Sequence, residues 1–102
     1  MDEQEAQYRK RVQDFPQSPL TQFALGRFLL EKRRFAEAIP PLEAANTLQR
    51  EYAAAMLALG DAYIGAGEKD KARQILEQAR DVALAQSHPS LAEEIDERLA
   101  DL

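Results

Sequence analysis

Apolar residues recur along this chain at three- and four-residue steps, the spacing of one helix face, and short clusters of proline, glycine and serine interrupt them. The pattern predicts six helices, over about residues 2–14, 19–32, 36–49, 52–65, 69–86 and 90–101. Tyr8, Val12 and Phe15 stripe the first, which Pro16, Ser18 and Pro19 stop. In the third, Pro40 and Pro41 are read as lying near the start, where the amides have no partner inside the helix and proline is tolerated; Pro41 is expected at most to bend it. Gly65 and Gly67 end the fourth. Val82, Ala83 and Leu84 prolong the fifth until Ser87, His88 and Pro89, and Ala92, Ile95, Leu99 and Leu102 stripe the last.

The pattern also repeats. Shifted by 34, Leu25 falls on Leu59, Gly26 on Gly60, Ala38 on Ala72, Leu42 on Leu76 and Ala45 on Ala79. A unit copied at such a period needs its neighbours to cover its apolar face, so the functional surface belongs to the stack. Gly26 and Gly60 stand mid-helix, where glycine costs about 1 kcal/mol relative to alanine. Close approach of a partner helix near Ala38 and Ala72 offsets that cost.

In the second copy Met56, Leu59, Gly60 and Tyr63 read M-x-x-L-G-x-x-Y, followed by Ala72, Leu76 and Ala79; the first has Gln22, Leu25, Gly26 and Leu29, then Ala38, Leu42 and Ala45. Here the chain resembles the tetratricopeptide repeat family, whose 34-residue helix-turn-helix unit carries W-x-x-L-G-x-x-Y and then A-x-x-x-F. The resemblance covers about residues 19–84 as two full units. It departs from the family at Gln22 and Met56, where tryptophan is favoured, and at Arg50 and Leu84, where a proline usually closes the unit; the second helices are therefore free to run on. The implied fold is all-α, a right-handed α-solenoid of antiparallel helix pairs.

The implied organisation is a single domain over residues 1–102: an N-terminal cap helix (1–18), repeats at 19–52 and 53–86, and a C-terminal capping helix (87–102). The first helix keeps the phase of a unit's second helix, since Tyr8 lies 34 before Leu42, yet Gln4 and Arg11 replace the small residues at Ala38 and Ala45. The last has Asp96 where an inner unit carries glycine, with Glu93, Glu94, Glu97 and Asp101 around it, as a polar-backed end does. A piece cut from a longer array is the alternative.

In the family, the first helices of successive units line a concave groove that holds a peptide. Carried across, those positions are Phe23, Arg27 and Leu30 from the first repeat and Leu57, Asp61 and Ile64 from the second, each trio on one helix face. The competing account makes Phe23, Leu30, Leu57 and Ile64 plain core, with Arg27 and Asp61 paired to each other. The cationic clamp by which some members grip a peptide carboxylate is missing: Arg27 and Asp61 occupy its asparagine position. A partner with an apolar anchor fits better.

Composition narrows the alternatives. Charged residues make up 30% of the chain, apolar residues 45%, and cysteine is absent, so neither disulfides nor thiolate metal sites contribute. No apolar run reaches the roughly 20 residues of a membrane span, and Met1 to Lys10 lack a signal-peptide core, which gives a cytoplasmic expectation. His88, the single histidine, reads as a solvated loop residue, and the carboxylates of the last helix wind around it instead of converging on a metal. Phosphate-binding glycine signatures are absent, so no cofactor is expected. The basic clusters, Lys10–Arg11 and Lys32–Arg33–Arg34, are small against a net charge of −5, which argues against nucleic acid; the second reads as a solvated loop. The expected function is a non-enzymatic, protein- or peptide-binding adaptor, with homodimerisation through Ala6, Tyr8 and Phe28 as the alternative and a small enzyme third.

Overall fold

The computed structural model describes residues 2–102 and contains six helices: α1 (Glu3–Asp14), α2 (Pro19–Glu31), α3 (Phe35–Leu48), α4 (Ala53–Gly65), α5 (Lys69–Ala85) and α6 (Pro89–Ala100). Their ends have local causes. The side chains of Asp2 and Ser18 accept the amides of Glu5 (2.7 Å) and Thr21 (3.4 Å), capping α1 and α2. Arg33, Gly67 and Ser87 take the left-handed conformation, with φ of 59°, 81° and 60°, just past α2, α4 and α5. Each reversal lets two amides return to the last turn; after α2, Arg33 donates to the Leu30 carbonyl and Arg34 to that of Leu29. Arg33 and Ser87 lack glycine's freedom at these turns, which costs about 1–2 kcal/mol at each.

Two expectations about α3 need correction. Pro40 and Pro41 are its sixth and seventh residues, beyond the four free amides, so the ladder bonds to the carbonyls of Ala36 and Glu37 cannot form. Ala36 and Glu37 are both exposed, which leaves those carbonyls open to water, and Pro41 is buried in the packing against the rest of the repeat. Nor does α3 run on for want of a closing proline: it stops at Leu48. Asn46 Nδ2 donates to the carbonyls of Leu42 (2.9 Å) and of Ala55 in α4 (3.3 Å), and the Thr47 hydroxyl to that of Glu43 (3.0 Å), so side chains of the last turn bond back to the preceding turn and across to α4. The α5 helix does run long, to Ala85.

Consecutive helices pack as neighbours, and α4 also packs against both α2 and α6, whereas no such contacts join α1, α3 and α5. The result is two layers, with α2, α4 and α6 forming the inner one. The shortest molecular dimension, 19 Å, is two helices thick at about 10 Å each. The core between the layers is built from the repeated positions: Leu29, Leu42, Leu76 and Ile95 are fully buried, as are the alanines at 38, 45, 72 and 79. Tyr63, the tyrosine of the repeat motif, ties α4 to α3 by donating its hydroxyl to Glu43 at 2.6 Å.

The glycines do their work one turn away from where the sequence suggested. A Cβ on Gly60 would lie 2.5 Å from Leu76 Cδ2 and 2.7 Å from its Cγ, and one on Gly26 would lie 2.5 Å from the same atoms of Leu42. The close approach is therefore a leucine side chain set on bare backbone. Since Leu76 has no exposed surface, it has nowhere to retreat. We expect Gly60→Ala to destabilise the fold by about 1–3 kcal/mol. In a double-mutant cycle by urea unfolding, Leu76→Ala should absorb much of that cost; strict additivity would separate the two residues.

The cap helix α1 rests on α2 through Tyr8, whose ring lies 5.0 Å from that of Phe28. Phe28 is thereby 4% exposed, so it is not the free apolar surface on which homodimerisation was expected to draw. The large apolar side chains that do stand out are Phe15, Leu20 and Leu84. The basic turn after α2 is likewise engaged within the molecule: Lys32 lies over Phe28, Arg33 over Phe35, and Arg34 grips Glu5. That last contact is bidentate, at 2.6 and 3.1 Å, and Arg9 adds a third bond at 2.9 Å.

Hydrogen bonds from Arg34, then Arg9, hold the Glu5 carboxyl at about 2 against an ordinary 4.5. The fold thus favours the ionised form, and Glu5 adds stability above pH 4.5 that fades as pH falls toward 2. Glu5→Gln should unfold at lower urea than wild type near neutral pH, with the gap narrowing steadily through that acid window. A gap independent of pH would assign the effect to packing instead of charge.

Candidate functional site

Because α2, α4 and α6 share the inner layer, the outward flanks of all three converge on one trough. Phe23, Arg27 and Leu30 of α2 and Leu57 and Asp61 of α4 line a cavity of about 360 Å³, together with Ala54 and Ala58. Leu91, Glu94 and Arg98 supply its third wall, and Glu31 its edge. Five of the six residues carried over from the repeat pattern thus meet here. Ile64, one turn past Asp61, does not line the cavity; it packs half-buried on the core. Leu57 serves both purposes, being 8% exposed, while Phe23 and Leu30 are half-buried.

A second cavity, about 580 Å³, shares Ala54, Leu91 and Glu94 with the first and continues it to the helix starts, where Tyr52, Glu51 and His88 lie. Phe23 and Tyr52 meet edge to face at 5.1 Å across the junction. Both volumes lie within the roughly 300–1,000 Å³ typical of sites that hold ligand groups. Burial raises the pKa of the Tyr52 phenol above its ordinary value, which favours the neutral form. His88, expected in a solvated loop, is exposed but stands at the rim of this second cavity.

The charges pair differently from the sequence expectation. Asp61 is bound by Arg98 Nε at 2.9 Å, not by Arg27. Arg27 lies instead near Glu31 of its own helix, at 3.7 Å, with its guanidinium 5.7 Å from the Phe23 ring centroid. Burial pushes the Asp61 carboxyl upward, an effect that the Arg98 hydrogen bond opposes and nearby Glu94 reinforces. The site is therefore an apolar floor with one half-buried ion pair in its wall and a second, more exposed pair at its edge.

Leu91, Glu94 and Arg98 lie in the segment expected to be a polar-backed cap. The signal for their role is the phase that already puts Asp96 at a glycine position. Ala92, Ile95, Asp96 and Leu99 of α6 occupy the positions of Met56, Leu59, Gly60 and Tyr63, but 36 residues on instead of 34, because α5 is longer than α3. A helix in that phase belongs to the inner layer, and the residues beside its buried stripe must face the trough.

The tetratricopeptide repeat model matches residues 29–88, more than half of the chain. The chain belongs to the tetratricopeptide repeat family. A Bordetella parapertussis protein whose structure was solved in solution has the same fold, with a TM-score of 0.83 and 25% sequence identity over 99% of this chain and 88% of that one. No curated protein matches. Tetratricopeptide repeats generally mediate protein–protein interaction, and the family is typically a non-enzymatic scaffold. No helix among the described residues is long and apolar enough to cross a membrane.

Removing Arg98 tests the electrostatics of the wall. Without its hydrogen bond, burial and Glu94 act on Asp61 unopposed, so Arg98→Ala should move the Asp61 carboxyl titration to higher pH. Side-chain carboxyl carbon shifts followed by NMR read this directly; an unmoved Asp61 would mean that solvent already screens the pair.

Proposed function

We propose that this chain is a cytoplasmic adaptor that binds a protein or peptide segment in the trough of its inner layer, seating an apolar anchor on Phe23, Leu30, Leu57 and Leu91. Its units are the repeats at 19–52 and 53–86, with 1–18 and 87–102 as caps, and all of them act as one domain. The observation that carries the reading is the convergence of three inner helices on one apolar-floored cavity. Rigid display is the mechanism. Groove side chains held by a packed core spend little conformational entropy on binding, so a few buried contacts suffice for useful affinity.

The test is a pull-down comparing wild type with the Phe23→Ala, Leu91→Ala double variant, both checked for helicity by circular dichroism. Leu91 replaces the more deeply buried Leu57 to spare the core. Partners lost at unchanged helicity support the trough; partners retained place binding elsewhere. Self-association is the second reading, favoured by Phe15 and Leu20, 63% and 66% exposed on either side of the α1–α2 turn. Light scattering that finds a strict monomer at high concentration removes it.

A further inference from the structure

We infer that the trough is selective for a basic, apolar partner segment, one that brings a lysine or arginine beside its apolar anchor. This rests on the adaptor reading and names the chemistry of its ligand. Four carboxylates line the two joined cavities, those of Glu31, Glu51, Asp61 and Glu94, against two guanidinium groups, Arg27 and Arg98. Internal pairing cancels Arg27 against Glu31 and Arg98 against Asp61. Among the described residues, no cation lies within ion-pairing distance of Glu51 or Glu94. Glu94 stands where the cavities join, close enough to the Asp61–Arg98 pair to disfavour the Asp61 charge. The trough thus holds more negative charge than its own residues neutralise.

An anionic segment is the poorer fit. Arg98 is hydrogen-bonded to Asp61 and Arg27 lies 3.7 Å from Glu31, so an anion would compete with a carboxylate at either. The starts of α4 and α6, which have no side-chain caps, also open onto the second cavity and favour anions. Two helix ends together amount to about one positive charge. Glu51 and Glu94 supply two negative ones, so the carboxylates prevail. A lysine or arginine at the junction would reach Glu94 while laying its methylene stem on Tyr52 and Phe23, with the neighbouring apolar side chain on Leu57 and Leu91. The chain's net charge of −5 steers such a segment inward.

A random dodecapeptide phage library panned on the full chain provides the probe. Selected peptides should combine lysine or arginine with leucine or phenylalanine. Their affinity, read by fluorescence anisotropy, should fall about tenfold or more in the Glu51→Lys, Glu94→Lys variant and weaken with added salt. Acidic or uncharged consensus peptides, or affinity indifferent to the charge reversal, overturn the inference. Ala54→Gln, a neutral block at a residue shared by both cavities, separates the two levels of the argument. Peptides lost on Ala54→Gln but insensitive to charge reversal sink the basic preference alone. Peptides that survive Ala54→Gln, or a library that yields none, sink the trough itself. A homodimer that Ala54→Gln dissociates puts a second copy in the trough and also overturns the assignment.

Discussion

A leucine laid on a glycine recurs at the centre of each repeat, Leu42 on Gly26 and Leu76 on Gly60, and the spacing of the two layers follows from it. Glycine in mid-helix costs about 1 kcal/mol, while complete burial of a leucine contributes about 1.5–3 kcal/mol, so the exchange favours the close-packed pair. The closeness has consequences up and down the hairpin. The paired helix can carry only small residues where it next faces its partner, which is why the alanines at 38, 45, 72 and 79 have no exposed surface. Once those contacts fix α3 on α2 and α5 on α4, the outward flanks of α2 and α4 are fixed too. The trough exists because the opposite side of the same helices has no freedom to turn.

How much of this was legible in the sequence depends on whether a residue acts within the period or across it. Helix number and helix phase follow from local spacing and hold in the structure, with ends displaced by no more than one residue, while the expected stripe of the first helix loses Phe15, which is exposed just past the end of α1. Pro40 and Pro41 fall beyond the four free amides whether α3 starts at 35 or at 36; spacing alone does not show that Ala36 and Glu37, whose carbonyls they leave unbonded, are exposed. The Glu5–Arg34 contact joins residues 29 apart in chain and is invisible to any periodic argument. Phe28 looked exposed for the same reason: its cover, Tyr8, comes from the helix before.

At the site, the same division holds. Phe23, Arg27, Leu30, Leu57 and Asp61 belong to repeats in strict register, and the register brings them to one cavity. Arg98 and Glu94 lie beyond a change of register, since the extra residues of α5 shift α6 by two positions and turn a different flank inward. With Arg98 out of view, Asp61 had no partner in sight but Arg27. A glutamine contact ties the two repeats together: Gln86, just past α5, donates to the Glu51 carbonyl at 2.9 Å, linking the end of the second repeat to the end of the first.

That shift also decides what the trough is made of. Had α6 followed the strict period, Ser90, Glu93, Glu94 and Glu97 would have stood at the buried positions of Met56, Leu59, Gly60 and Tyr63, which would set carboxylates in the core. The longer α5 instead presents Leu91, Glu94 and Arg98, adding an apolar side chain to the floor and a guanidinium that neutralises Asp61. A half-buried carboxylate left unpaired would be driven toward its neutral form, and the wall would lose its fixed charge. With Arg98 in place Asp61 is committed inside the molecule, and the groups still free to meet an incoming side chain are Glu94 at the junction and the apolar surfaces beside it. In the proposed adaptor, what the trough offers a partner is therefore set by α6, the inner helix that departs from the 34-residue register.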